Sequence, residues 1–161
     1  MLELVHQLAN TLVKRGESLA LAESCTGGML SKYCTDLTGS STWFECAIVC
    51  YSNNSKNKLL GVKVKTLREM GAVSEAVADE MAQGVLNVAS VGHSIAITGI
   101  AGPTGGSANK PVGTVCFAWK GPDYKVLESC HFNGCRESVR EQAARYALMR
   151  LLEILNEDEP E

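Results

Sequence analysis

Serine and lysine side chains in the first third of the sequence could form a hydrolytic pair. Ser41 lies fifteen residues before Lys56, and Tyr51 stands between them. A serine hydroxyl becomes a nucleophile when a base takes its proton, and a lysine amine can be that base when desolvation lowers its pKa. None of the three histidines lies in a Ser-His-Asp context, and Gly-x-Ser-x-Gly is missing. The pattern therefore favours a Ser-Lys dyad, with a solvated Lys56 as the plain alternative.

Two glycine-rich segments could bind an anion or a developing oxyanion. The first is Ser24-Cys-Thr-Gly-Gly28 and the second is the loop from Gly99 to Gly113. Glycines between a strand end and a helix allow backbone N–H groups to face a ligand at the positive end of the helix dipole. Neither segment matches Gly-x-Gly-x-x-Gly or a phosphate loop with Gly-Lys-Ser/Thr. The alternatives are a tight packing turn and a surface loop without a ligand.

Arg136 and Arg140 lie one turn apart at the start of the last predicted helix. Cations at a helix N-terminus oppose the helix dipole, and a bound anion would reverse that cost. Positions i and i+4 share a helix face, so the two guanidinium groups could hold a phosphate or a carboxylate. The alternative is a surface pair balanced by Glu137 and Glu141.

Alternating helix and strand patterns must position these residues. They predict one α/β domain over residues 1–155, a three-layer sandwich in which helices cover both faces of a mixed sheet. Residues 156–161 are expected to form an acidic flexible tail. Thr66 and Glu69 have the capping-box spacing of a helix start, and Ser74 is predicted to cap a longer helix. The predicted strands are 18–23, 44–51, 94–98, 114–119 and 126–132, and the principal predicted helices are 2–15, 29–37, 53–60, 75–88 and 136–155.

Composition narrows the class of protein. The 161 residues are 45% hydrophobic and 20% charged, the balance of a soluble globular chain, and no apolar run is long enough to cross a bilayer. A net charge of −3 gives no general attraction for nucleic acid. Seven cysteines without a Cys-x-x-Cys pair indicate reduced thiols and a cytoplasmic location. A metal site of Cys130, His131 and Cys135 is a less favoured alternative.

Taken together, these segments resemble the C-terminal domain of the competence/damage-inducible CinA proteins, the nicotinamide-nucleotide amidase family. The resemblance spans nearly the whole chain in the same order. The matching stretches are Ala22-Glu-Ser-Cys-Thr-Gly-Gly28, Gly39-Ser-Ser41 with Trp43-Phe44, Tyr51-Ser-Asn53 with Lys56, Gly71-Ala-Val-Ser-Glu75, Thr98-Gly-Ile-Ala-Gly-Pro103 through Gly105-Gly106, Lys110-Pro-Val-Gly113, and Arg136 to Arg140. The N-terminal domain of longer members is not in this sequence, so a stand-alone amidase form is expected.

The resemblance implies hydrolysis of the carboxamide of nicotinamide mononucleotide to nicotinic acid mononucleotide and ammonia, in pyridine-nucleotide recycling, without a metal or other cofactor. It implies Ser41 as nucleophile with Lys56 as base, Ser24 being the alternative nucleophile. Backbone N–H groups of Gly27 and Gly28 or of the Gly99 loop would bind the oxyanion, and an arginine would bind the phosphate. The implied catalytic positions are Ser41, Lys56, Tyr51, Ser24 and Thr98, and the implied substrate-binding positions are Thr26, Gly27, Gly28, Gly99, Ala101, Gly102, Arg136 and Arg140.

Within those roles, Tyr51 is expected to aid proton transfer and Thr98 to orient the amide. The resemblance also implies a homo-oligomer, with a homodimer as the expectation. The net charge and the lack of a bilayer-length apolar run predict no nucleic-acid and no membrane partner. A competing hypothesis is a catalytically silent nucleotide-binding module with a regulatory role in competence or DNA damage. A phosphotransferase is less favoured because no acidic pair for a metal lies between Thr98 and Pro111.

Overall fold

The computed structural model describes residues 1–157, which form one five-stranded sheet with helices on both faces. The strand order is β2-β1-β3-β4-β5. The strands are β1 (Leu19–Glu23), β2 (Phe44–Val49), β3 (His93–Gly99), β4 (Thr114–Lys120) and β5 (Lys125–His131). The helices are α1 (Leu2–Arg15), α2 (Met29–Thr35), α3 (Asn53–Leu60), α4 (Val64–Met70), α5 (Glu75–Ala89) and α6 (Arg136–Glu157).

The first three strands are parallel, with β1 in the middle. Every residue of β1 is buried, as expected for a parallel strand covered by helices on both faces. Glu23 at the end of β1 aligns with Val49 of β2 and Ile97 of β3. The segments that follow these three strands therefore meet at one edge of the sheet, where α/β folds bind ligands.

The remaining strands are antiparallel, so the sheet is mixed. β4 and β5 form a hairpin, closed by a bond from the Gly121 N–H to the Tyr124 carbonyl. The long connection from β3 to β4 carries the glycine-rich segment from Gly99 to Gly113. Antiparallel pairing of β3 with β4 brings both ends of that loop to the ligand-binding edge of the sheet.

Each face of the sheet has its own hydrophobic core. Side chains of α1, α2 and α6 pack on one face, and those of α3, α4 and α5 pack on the other. The Trp119 indole N–H donates to the Ala147 carbonyl at 2.9 Å, which links β4 to α6 inside the first core. Both layers approach the carboxyl end of β1, so a site there can take groups from α3 and from α6.

The structure confirms the α/β class, the mixed sheet and the cap of α5, where the Ser74 hydroxyl accepts from the Val77 N–H. The capping-box prediction is wrong, because α4 begins at Val64 and the Thr66 hydroxyl donates to Glu80 instead. Of the predicted tail, residues 156 and 157 continue α6, and residues 158–161 lie outside the described part. Within residues 1–157, no helix is both long and apolar enough to span a membrane.

Candidate active site

The turn that follows β1 brings a serine and a lysine together. Ser24 directly follows the last residue of β1, and its N–H donates to the Ile97 carbonyl of β3 at 3.0 Å. Lys56 extends from α3 on the opposite side, and its Nζ lies 2.9 Å from the Ser24 Oγ. Ser24 is 7% exposed and Lys56 is 1% exposed. A hydroxyl and an amine at this distance, shielded from water, can exchange a proton.

The surroundings of Lys56 suit an amine that alternates between charged and neutral forms. Its Nζ also lies 3.0 Å from the carbonyl oxygens of Cys50 and of Tyr51. Burial, the largest influence, lowers the pKa of Lys56 below its usual value. A neutral amine has two N–H donors for the two carbonyls and one lone pair for the Ser24 hydroxyl. The three neighbours thus match the hydrogen-bonding groups of a lysine acting as a base.

Glu23 fixes the turn from inside. Its carboxylate is fully buried and accepts from the Thr26 hydroxyl at 2.7 Å and from the Gly28 N–H at 3.0 Å. It also accepts from the first turn of α2, at Leu30 N–H (3.1 Å) and Ser31 N–H (2.8 Å). Four donors satisfy this carboxylate, and it occupies the positive end of α2. The anion at this helix terminus is therefore part of the protein itself.

Two arginines of α6 approach the same region with different partners. Arg140 donates to the carbonyls of Cys25 and Thr26 at 3.0 and 2.9 Å. Arg136 donates to the Gly102 carbonyl at 2.8 Å and to the Tyr51 hydroxyl at 3.0 Å. Arg136 is exposed, whereas Arg140 is half-buried. Arg136 is thus the guanidinium with access to an incoming anion, and Arg140 is engaged with the turn.

An open crevice of about 280 Å³ lies beside the serine. Its walls include Cys25, Tyr51, Arg136 and the loop from Gly99 to Gly105. This volume is near the lower end for ligand sites, roughly 300 to 1,000 Å³, and suits a small metabolite. Gly99 is needed here because a Cβ would stand 3.0 Å from the Cys25 sulfur. Because Cys25 lines it, the crevice reaches the residue next to Ser24.

Ser41 lies at the other end of the sheet. It is exposed in a short 3₁₀ helix, Ser40–Thr42, that precedes β2, whereas Lys56 follows β2. At about 3.3 Å per residue, the strand separates them by roughly 17 Å. The structure does not bring Ser41 and Lys56 together as a dyad, and the alternative nucleophile, Ser24, stands beside the lysine instead.

Other predicted site residues lie at the same edge of the sheet, but most of their polar groups already form hydrogen bonds within the protein. The Gly27 N–H donates to the Ser24 carbonyl and the Gly28 N–H to Glu23, so neither is available to an oxyanion. The Thr98 hydroxyl donates to the Ala72 carbonyl at 2.8 Å and anchors the end of β3. Ala101 and Gly102 line the crevice, and within residues 1–157 neither backbone N–H has an acceptor.

Comparison with known proteins gives the family. The sequence model described as CinA C-terminal domain matches residues 1–155. The chain belongs to the CinA C-terminal domain family. Its relatives include the nicotinamide-nucleotide amidohydrolase PncC of Enterobacter agglomerans, 49% identical over 151 residues, which are 93% of this chain and 92% of that protein. The PncC of Escherichia coli K12 is 47% identical over 154 residues, 94% of this chain and 92% of that protein.

Solved structures agree with this CinA-family fold. The competence damage-inducible protein A of Klebsiella pneumoniae superposes with a TM-score of 0.94 and 38% identity, covering 98% of each chain. A longer relative, a CinA-like protein of Syntrophobacter fumaroxidans, is 51% identical over 147 residues, which are 91% of this chain but 35% of that protein. The matched region thus occurs both in short proteins and in longer ones.

Two features of this CinA-family site were missed by the sequence reasoning. The first is Glu23, whose carboxylate lies near the positive end of α2, where an anion is favourable; its signal in the sequence is an acidic residue shortly before a helix start. The second is the pair of carbonyls, of Cys50 and Tyr51, that bind Lys56. These are backbone groups, so residue types in the sequence do not reveal them. For the alternative metal site, the described residues contain no group of three His, Cys, Asp or Glu side chains placed to bind an ion.

Proposed function

We propose that the protein is a nicotinamide-nucleotide amidase that hydrolyses the carboxamide of nicotinamide mononucleotide with Ser24 as nucleophile and Lys56 as base. The observation that carries the proposal is the buried 2.9 Å contact between Lys56 Nζ and Ser24 Oγ beside a metabolite-sized crevice. The substrate class is supported by the PncC relatives, which are nicotinamide-nucleotide amidohydrolases by name.

The reaction follows from the chemistry of the pair. Ser24 Oγ attacks the carboxamide carbon while its proton moves to Lys56 Nζ, and the carbonyl becomes an oxyanion. When the tetrahedral intermediate collapses, Lys56 returns the proton to the leaving nitrogen and ammonia departs. Water then attacks the resulting ester and gives a proton to Lys56. As the second tetrahedral intermediate collapses, Lys56 returns that proton to Ser24 Oγ, which leaves as the hydroxyl while the acid product is released. The two carbonyls that bind Lys56 keep the amine in place through both half-reactions.

Recognition of the nucleotide is assigned to the outer part of the crevice. Arg136 is exposed at its mouth, and a guanidinium binds a phosphate through two parallel hydrogen bonds. The phosphate would take the place of the Tyr51 hydroxyl and of the Gly102 carbonyl as partner. The N–H groups of Ala101 and Gly102, which also line the crevice, are further donors for the substrate.

A test measures ammonia and nicotinic acid mononucleotide together after incubation of the protein with nicotinamide mononucleotide. Equal amounts of both products are expected. Ser24→Ala and Lys56→Ala should each lower kcat by about three orders of magnitude or more, as loss of a member of a nucleophile–base unit does. Ser41→Ala is the matched control and should keep wild-type kcat. The Ser24 assignment fails if Ser41→Ala abolishes turnover and Ser24→Ala does not.

The same experiment separates the amidase from the silent-module hypothesis. A folded wild type that binds the mononucleotide in calorimetry but releases neither product would refute the amidase and favour a regulatory nucleotide-binding protein. The retained Ser24–Lys56 contact supports the enzyme, because a binding module has no need of a buried lysine against a serine hydroxyl.

The proposal also includes a cytoplasmic location and a homodimer. All seven cysteines are free, which suits a reducing compartment. β2 is an edge strand of the sheet. Val49 at its end is 46% exposed and Tyr51, just beyond it, is 61% exposed, so a partner could cover apolar surface close to the site. Sedimentation equilibrium is expected to give twice the chain mass of 17.2 kDa. A monomer at micromolar concentration would contradict the dimer.

A further inference from the structure

Two backbone N–H donors in the turn after β1 have no strong hydrogen-bond acceptor. From Ser24 to Ser31, most N–H groups have a strong acceptor: the carbonyls of the turn and of β3, or the Glu23 carboxylate. Among residues 1–157 the Thr26 N–H has no acceptor, and the Cys25 N–H lies only beside its own sulfur, a weak acceptor. The two donors belong to the two residues directly after the proposed nucleophile.

These two residues are buried. Cys25 is 5% exposed and Thr26 is fully covered. A buried N–H without an acceptor is destabilising, and native structures rarely contain one unless water or a ligand satisfies it. Both N–H groups belong to residues that directly follow Ser24, and Cys25 lines the crevice, so a ligand atom that satisfies them must be a hydrogen-bond acceptor.

The carbonyls of the same two peptide units are fixed by other groups. The Ser24 carbonyl, which shares a peptide with the Cys25 N–H, accepts from Gly27 N–H at 3.1 Å. The Cys25 carbonyl, which shares a peptide with the Thr26 N–H, accepts from Arg140 Nε at 3.0 Å. In a planar trans peptide the C=O and N–H point in opposite directions. Holding each carbonyl therefore sets the direction of each free N–H.

Arg140 acts on this turn with a charge as well as with geometry. A cationic donor on a carbonyl polarises the peptide and makes its N–H a stronger donor. The second contact, from Arg140 Nη2 to the Thr26 carbonyl at 2.9 Å, prevents the guanidinium from rotating away. A Cβ on residue 27 would stand 3.2 Å from this nitrogen, so a glycine at that position allows the approach.

We propose that the N–H groups of Cys25 and Thr26 form the oxyanion hole, and that Arg140 is the positioning residue that orients and polarises the Cys25–Thr26 peptide. The inference rests on the proposed function. As Ser24 Oγ bonds to the carbonyl carbon, its proton passes to Lys56 and the C=O π pair becomes a lone pair on oxygen. The two N–H groups bind that charge. Arg140 touches neither the substrate nor the oxyanion.

The test compares binding of the planar ground state with binding of the tetrahedral state. The variants are Arg140→Gln and Arg140→Lys, with Arg145→Gln as control because Arg145 is an exposed arginine on the same helix. Each is assayed for kcat and KM on nicotinamide mononucleotide. Each is also combined with Ser24→Ala, so that calorimetry gives the substrate Kd without turnover. The tetrahedral probe is the mononucleotide whose carboxamide is replaced by an aldehyde, which forms a hemiacetal oxyanion with Ser24.

We expect Arg140→Gln to lower kcat by about 10- to 100-fold, somewhat less than the loss of a whole oxyanion donor. The aldehyde Ki should rise by the same factor as kcat/KM falls, while the substrate Kd in the Ser24→Ala background stays unchanged. Arg140→Lys should recover part of both losses, since it keeps the charge and one hydrogen bond. It also retains enough of the contact to fold if the glutamine variant does not.

Two results would overturn the inference. If the substrate Kd rises by the same factor as kcat/KM falls, and the aldehyde Ki rises no more than the substrate Kd, Arg140 binds the substrate directly. If the Arg140 variants behave like Arg145→Gln, the residue has no part in the reaction. Failure of the proposed function is visible separately, because wild type and Arg145→Gln would then release no ammonia at all.

Discussion

Replacement of the buried Glu23 by Gln tests whether an internal anion holds the catalytic turn. If the amide oxygen takes the place of Oε2, it keeps the three donors at Thr26, Gly28 and Leu30. The amide NH₂ then faces the Ser31 N–H, so one buried donor loses its acceptor at about 1 to 3 kcal/mol. Loss of charge weakens the three remaining bonds by about 1 kcal/mol each.

Relief from burying a charge offsets part of this loss. The net decrease in the free energy of unfolding is expected to be about 2 to 4 kcal/mol, which lowers Tm by about 5 to 12 °C in a chain of this size. Because the same residue shapes the Ser24 turn, kcat should fall even at temperatures where the variant is fully folded.

Denaturant unfolding followed by tryptophan fluorescence measures this change, since Trp43 and Trp119 are both buried. Glu80→Gln is the matched control: its carboxylate also accepts a backbone N–H at a helix start, from Lys63 ahead of α4, but far less of it is buried. It should cost about 0.5 to 1 kcal/mol and leave kcat unchanged. If Glu23→Gln matches wild type in both midpoint and kcat, the carboxylate does not organise the turn.

Four further predictions concern the site. The rate should rise with pH through the pKa of Lys56, which lies below the ordinary lysine value, because only the neutral amine accepts a proton. Lys56→Ala should remove this rise, and the control Lys58→Ala on the same helix should keep it. Since the unfolded chain holds that proton to higher pH, the free energy of unfolding should also rise with pH between the lowered and the ordinary pKa of Lys56. A wild type whose stability is flat in that range would contradict the lowered pKa. Gly99→Ala places a Cβ 2.8 Å from a neighbouring side-chain carbon and should reduce activity, whereas Gly92→Ala meets nothing within 4 Å and should not. Arg136→Gln should weaken binding of nicotinamide mononucleotide about 10- to 100-fold, the value of a charge-assisted contact. Binding of nicotinamide riboside, which lacks the phosphate, should not change; equal losses for both compounds would refute the phosphate role.

Most of the fold could be predicted because local signals and burial patterns agree. The apolar run that becomes β1, the cap at Ser74 and the turn residues around Gly121 each specify their own element. The start of α4 could not be predicted from Thr66, because a capping box is a local preference. Here Glu80, fourteen residues away, takes both the Thr66 hydroxyl and the Lys63 N–H.

The site was harder to predict because its geometry depends on strand direction. Ser41 is nearer to Lys56 in the sequence than Ser24 is, and nearness favoured it. Yet Ser41 precedes β2 while Lys56 follows it, so the strand holds the two apart. Ser24 is 32 residues from Lys56 and ends the neighbouring parallel strand, so both lie at the same edge. In a parallel sheet the useful question is which residues follow a strand, not which are close in sequence.

The two arginines have different roles although their spacing makes them look equivalent. Both lie on one face of α6, but Arg136 opens the helix beside the crevice, and Arg140 reaches the turn one helical turn deeper. The half-buried Arg140 is fixed by the two carbonyls that it binds, whereas the exposed Arg136 can exchange its partners for a phosphate. Sequence spacing shows that two cations share a face. The hydrogen bonds in the structure distinguish them: Arg136 is placed to bind the substrate, and Arg140 is placed to orient the Cys25–Thr26 peptide.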